Sequence, residues 1–213
     1  NLEKLSINID QQSTLARLLA QENIDVIHGN YRTAWFDPEK RVLALPIWKN
    51  RGKAVYDLLT GHEVGHALYT PSDDWKSSIK VEKIPHTILN IVEDARIEKL
   101  IQRKYPGLKS SFRKAYRTLF DQDFFGVANV NVNYLSFLDR INLYFKIGAM
   151  LGIKFSSDEQ LLVKKIDSVE TFDDVIEISK LIFEMMKETK QNKTDGQEKY
   201  SSSDDHEESE DEQ

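Results

Sequence analysis

A chain of 213 residues with 40% apolar content can bury one sizeable core, and with no cysteine it forms neither disulfides nor thiolate zinc knuckles. No stretch approaches the roughly eighteen consecutive apolar residues of a membrane span. The formal charge of −6 sits in residues 190–213, which hold nine acids and three bases, so residues 1–189 are neutral overall and give no global electrostatic case for nucleic-acid binding.

In chain order, residues 9–21 read as a short amphipathic helix with Leu15, Leu18 and Leu19 on one side. Residues 24–28 and 41–46 read as strands, separated by a turn at Asp37-Pro38. The run Val42 to Trp48 contains Pro46, which suits an edge strand, and such an edge can pair with an extended peptide. Helices are predicted over 53–69, 86–104, 109–120, 133–151, 158–167 and 172–188, with a capping box at Ser156 and Glu159. Residues 70–85 and 121–132 are left as long loops. The bases between Lys99 and Arg117 read as a solvated face. Apolar residues nearly vanish after Lys187, so 190–213 is predicted to be an acidic disordered linker or tail following a single domain over 1–189.

The sequence Gly61-His62-Glu63-Val64-Gly65-His66 lies within the predicted helix 53–69, flanked by Leu58, Leu59, Ala67 and Leu68. Positions four apart share a helical face, so His62 and His66 can address one metal ion. Glu63 lies one step round the helix, within reach of a water on that ion. This H-E-x-x-H pattern predicts a zinc site in which Glu63 is the general base. No proline interrupts residues 47–70, and Pro71 stops the helix.

The residues after His66 read Ala-Leu-Tyr-Thr-Pro, which rules out a three-histidine extension. The third ligand is therefore sought on the helix 86–104, where Glu93 and Asp94 are adjacent acids in apolar company. Glu93 shares a face with Asn90 and Ile97 and is the preferred ligand, with Asp94 or Asn90 orienting a histidine from behind. Asp94 as the ligand, supported by Glu98 one turn on, is the alternative. Tyr69 and His86 are candidate donors to an oxyanion.

A Gly-His-Glu-x-x-His helix followed by a glutamate helix resembles the gluzincin branch of zinc metallopeptidases. That resemblance implies zinc held by His62, His66 and Glu93, with Glu63 as general base. The stretch Asn90-Ile-Val-Glu-Asp-Ala-Arg-Ile-Glu98 is similar to cobaltochelatase CobT-like proteins and their phage-encoded relatives, over roughly residues 32–125. Those proteins carry an acidic linker and a von Willebrand factor A domain and partner with MoxR-type AAA+ ATPases. Two departures stand out: Ile97 occupies the place where gluzincins usually put an acid or amide, and the chain carries no von Willebrand domain. The acidic run suggests a piece of something longer.

Together these readings predict an α+β, mainly α, fold with a zincin-like core. A small edge sheet is expected to pack on the motif helix and the glutamate helix, followed by a helical subdomain. The expected function is zinc-dependent hydrolysis of a peptide or protein substrate in the cytoplasm, or in the host cytoplasm if phage-encoded. The alternative is a CobT-like adaptor of a MoxR-type AAA+ ATPase with a structural or vestigial zinc site.

Overall fold

The computed structural model describes residues 9–48 and 51–201. Among these residues the chain is mainly helical, with one small sheet. Helix α1 (Ile9–Ala20) leads into strands β1 (Asp25–Gly29), β2 (Trp35–Asp37) and β3 (Val42–Pro46). Seven helices follow: α2 (Lys53–Tyr69), α3 (Ser72–Lys80), α4 (His86–Lys104), α5 (Leu108–Asp121), α6 (Phe137–Ile147), α7 (Ser157–Ser168) and α8 (Phe172–Ser201). None of the described helices is long and apolar enough to cross a membrane.

The sheet corrects the expectation of a free edge at Val42–Pro46. Its order is β1-β3-β2, with β1 parallel and β2 antiparallel to the central β3. Leu43, Ala44 and Leu45 are fully buried, which explains why this strand reads as a continuous apolar run without alternation. Pro46 is the last residue of the strand, where a missing N–H interrupts little of the ladder. The partner absent from the sequence reading is Trp35–Asp37, which ends in a turn where Asp37 Oδ1 accepts the N–H groups of Glu39 and Lys40, each at 2.9 Å. With both sides of β3 paired, its backbone has no edge left for a peptide.

The helices depart from expectation at three places. The predicted loop 70–85 contains α3, whose Trp75 and Ile79, four apart, pack on a buried cluster. Asp73 and Asp74 in its first turn complement the helix dipole. The predicted helix 133–151 is shorter: Ser136 caps α6 by accepting from the Asp139 N–H, and Gly148, at φ 80°, ends it. The backbone of 190–201 continues α8, where Lys190, Gln191, Gln197, Glu198 and Lys199 are good helix formers. The rest of the predicted disordered tail, 202–213, lies outside the described residues. The capping box at Ser156 and Glu159 is formed as expected.

Two apolar cores result, and α4 is the wall between them. The first gathers α1, the sheet, α2 and α5, including Leu43, Leu45, Val64, Phe112 and Leu119, with Ile101 from the end of α4. The second gathers Ile88, Leu89 and Val92 from the start of α4 with α6, α7 and α8. Glycines on α2 let the neighbours close in. A Cβ on Gly65 would lie 2.9 Å from Ile97 of α4, and one on Gly61 would lie 2.8 Å from Phe112 of α5. The middle of α4, Glu93 to Glu98, is thereby pressed against the motif helix.

Candidate metal centre

Helices α2 and α4 run past each other so that His62 meets Glu98 and His66 meets Asp94. His62 Nε2 lies 3.6 Å and His66 Nε2 lies 3.3 Å from Asp94 Oδ1. The ligating atoms of these three residues all lie within 4.8 Å of one another. The two imidazoles stand edge to face with centroids 4.9 Å apart.

Each remaining histidine nitrogen is already engaged. His62 Nδ1 donates to Glu98 Oε1 at 2.8 Å, and the same oxygen accepts the Tyr116 hydroxyl. His66 Nδ1 lies 2.9 Å from Thr70 Oγ1. The single hydroxyl proton of Thr70 goes to Glu93 Oε1, so Thr70 must accept from His66. Both networks therefore place the N–H on Nδ1 and leave the Nε2 lone pairs facing Asp94. Asp94 Oδ1 is itself buried without a hydrogen-bond partner among the described residues. With both imidazoles neutral, three electron-rich atoms converge on one point and repel each other unless a proton or a metal cation joins them.

The charges agree with a divalent ion. Glu63, Asp94 and Glu98 bring three carboxylates, and Lys146 of α6 is the one ammonium bonded among them, at 3.1 Å from Asp94 Oδ2. Two negative charges are left over, which a divalent cation would neutralise. The titration of the groups shows the same surplus. Burial works against a charged His62, but Asp94, Glu98 and Glu63 together lift its pKa from 6.5 to about 9. Burial pushes the Glu63 carboxyl up, against the opposing pull of both imidazoles. Burial also disfavours a charged Asp94, yet Lys146 and the histidines hold it well below the usual carboxylate range. The donor set of two imidazoles and a carboxylate suits zinc and other borderline transition metals.

Glu93 is not among the three. It is fully buried, but its carboxylate turns away to form a two-pronged pair with Arg96, at 2.8 Å to each oxygen, besides accepting from Thr70. The acid that faces the two histidines is Asp94, one residue from the preferred register. Adjacent helical positions differ by about 100°, so only one of the two acids can face α2. Arg96 fixes Glu93 on the other side. Asn90 lies behind Asp94, with Nδ2 3.4 Å from Oδ2, and touches neither histidine.

Glu63 is buried beside the imidazoles and has no hydrogen bond to another described residue. The two proposed oxyanion donors lie elsewhere. His86 is exposed and packs edge-on against Trp75 at 5.6 Å, two turns of helix before Asp94. The Tyr69 ring packs on the first core, and its carbonyl accepts from Arg96 at 2.7 Å.

The sequence assigned no part in the site to Thr70, Arg96, Tyr116 or Lys146. Two of them carried a signal. Arg96, three residues after Glu93, announces that this acid is neutralised within its own helix. Lys146 is a base inside the apolar run Leu143-Tyr144-Phe145-Lys146-Ile147, a place where a lysine needs an acidic partner. No protein-family model, curated protein or solved structure matches this chain.

Proposed function

We propose that this chain is a zinc-dependent peptidase with a zincin-like core, in which His62, His66 and Asp94 hold the metal and Glu63 is the general base. The observation that supports it most is the convergence of both Nε2 atoms and Asp94 Oδ1, which has no hydrogen-bond partner among the described residues, with Glu63 beside them. Zinc bound there would lower the pKa of a water and polarise a carbonyl.

The protein's own residues would do the rest. Glu98 and Thr70 hold the imidazoles in the tautomer that leaves Nε2 free. Burial makes Glu63 a stronger base than a solvated carboxylate, suited to accept a proton and return it to a leaving amine. Three protein ligands leave a coordination position open, as catalytic sites do and closed structural sites do not. The histidine side chains retain 18% and 19% exposure against 8% for Asp94, so solvent reaches the site from the histidine side.

Glu63→Gln removes the base while keeping the ligands. Hydrolysis of a denatured protein substrate is expected to fall by about two to four orders of magnitude, with zinc still bound. Undiminished hydrolysis in that variant would remove Glu63 from the chemistry. Absence of hydrolysis in the parent, with one zinc bound, would favour an adaptor carrying a structural metal.

A further inference from the structure

Lys146 reaches the centre from α6, a helix whose apolar residues pack in the second core. It lies 52 positions from Asp94 in sequence, and its side chain is only 18% exposed. Its Nζ lies 3.1 Å from Asp94 Oδ2, and Asn90 Nδ2 lies 3.4 Å from the same oxygen. The other oxygen, Oδ1, has no hydrogen-bond donor among the described residues and faces both histidines. The two ends of one carboxylate are thus sorted, one capped by an ammonium and an amide, the other left bare.

We infer that Lys146 is a positioning residue that makes Asp94 a one-oxygen ligand and so biases the centre toward metals content with few ligands. The inference rests on the metal-site reading above. A carboxylate with both oxygens free can grip an ion with two, which raises the ligand count and suits manganese, calcium and other ions that favour oxygen-rich shells. An ammonium on Oδ2 competes for that oxygen directly. It also repels a cation drawn toward that side, so the ion is steered to Oδ1 and the imidazoles. Lysine does this as a compact point donor. A structural role alone would need only a salt bridge of any geometry. Sorting the two oxygens requires the cap to fall on Oδ2.

Cobalt(II) substitution reads this directly, because low-coordinate cobalt absorbs visible light intensely and higher-coordinate cobalt weakly. The parent protein loaded with cobalt is expected to show intense bands. Lys146→Met removes the ammonium from Oδ2, leaving only the longer Asn90 contact, and is expected to lose those bands several-fold while still binding cobalt, with the zinc-over-manganese preference narrowing alongside. Lys146→Arg keeps a donor at Oδ2 and is expected to resemble the parent. A folded Lys146→Met protein with the parent's spectrum and metal preference overturns the inference while leaving the metal site standing. A parent that binds no cobalt overturns the metal site itself and the inference with it. Should Lys146→Met not fold, X-ray absorption of the zinc-loaded parent decides: one carboxylate oxygen supports the inference, and a two-oxygen carboxylate contradicts it.

Discussion

His62 is held by a carboxylate of α4, whereas His66 is held at the α2–α3 corner by a hydroxyl. Glu98 meets His62 directly and is steadied by Tyr116, a residue of the first core. Thr70 meets His66 and donates its own hydroxyl hydrogen bond to Glu93, which Arg96 grips with two further bonds. Arg96 then bonds the carbonyls of Tyr69 and Glu170 and lies over Phe172, a residue of the second core. The two histidines thus answer to different halves of the molecule. A direct carboxylate makes the opposite nitrogen a better donor, and a neutral hydroxyl mainly sets its direction. The His62 side should therefore govern metal affinity, and the His66 side should govern the stability of the corner that carries it.

The largest effect is expected from breaking the His66 side at its deepest point. Arg96→Met keeps the stem but strands the Glu93 charge, which is wholly buried. Urea denaturation is expected to show a loss of about 3–5 kcal/mol, the usual scale when one member of a buried ion pair is removed. A loss below about 1 kcal/mol would place the pair among exposed salt bridges and cancel its part in the contrast.

On the His62 side the corresponding effect is one of pH. In protein stripped of metal, burial opposes the imidazolium but the acids around it raise its pKa to about 9 from 6.5. A raised folded-state pKa contributes stability that is fully present below the unfolded value and lost as pH climbs through the folded one. Chelator-treated protein should therefore lose stability between 6.5 and about 9, by on the order of a few kcal/mol. Zinc-loaded protein should lack this slope, since the metal takes the proton's place. Thermal melts across that window that coincide with and without chelator would contradict it.

Smaller effects separate the supports themselves. Glu98→Gln is expected to weaken zinc binding by about 10–100-fold in competition with a chromophoric chelator. Thr70→Val, which removes a neutral partner, is expected to cost about tenfold or less. Equal losses would erase the distinction between a charged and an uncharged support.

Much of this arrangement was legible in the residues. His62, Glu63 and His66 declare themselves by spacing, because a four-residue interval on an uninterrupted helix leaves little freedom. The choice between Glu93 and Asp94 was not, since both are buried and the outcome rests on how α4 is rotated. That rotation is set by Gly65 admitting Ile97 and by Arg96 claiming Glu93, both of which depend on packing. Lys146 showed only as a base in an apolar run, and no local pattern identifies its partner, which is distant in sequence. The central place of β3 was hidden by its proline, although its unbroken apolar run already spoke for burial on both faces. The helix α3 was obscured by its polar composition, and two apolar side chains hold it down.

The central claim is that Asp94, and not Glu93, completes the metal site with the two histidines. Zinc titration followed by calorimetry on Asp94→Asn and Glu93→Gln, alongside the parent, tests it most directly. The geometry predicts one zinc per parent chain, loss of stoichiometric binding in Asp94→Asn, and retained though weaker binding in Glu93→Gln. Binding that survives in Asp94→Asn and disappears in Glu93→Gln would contradict the account.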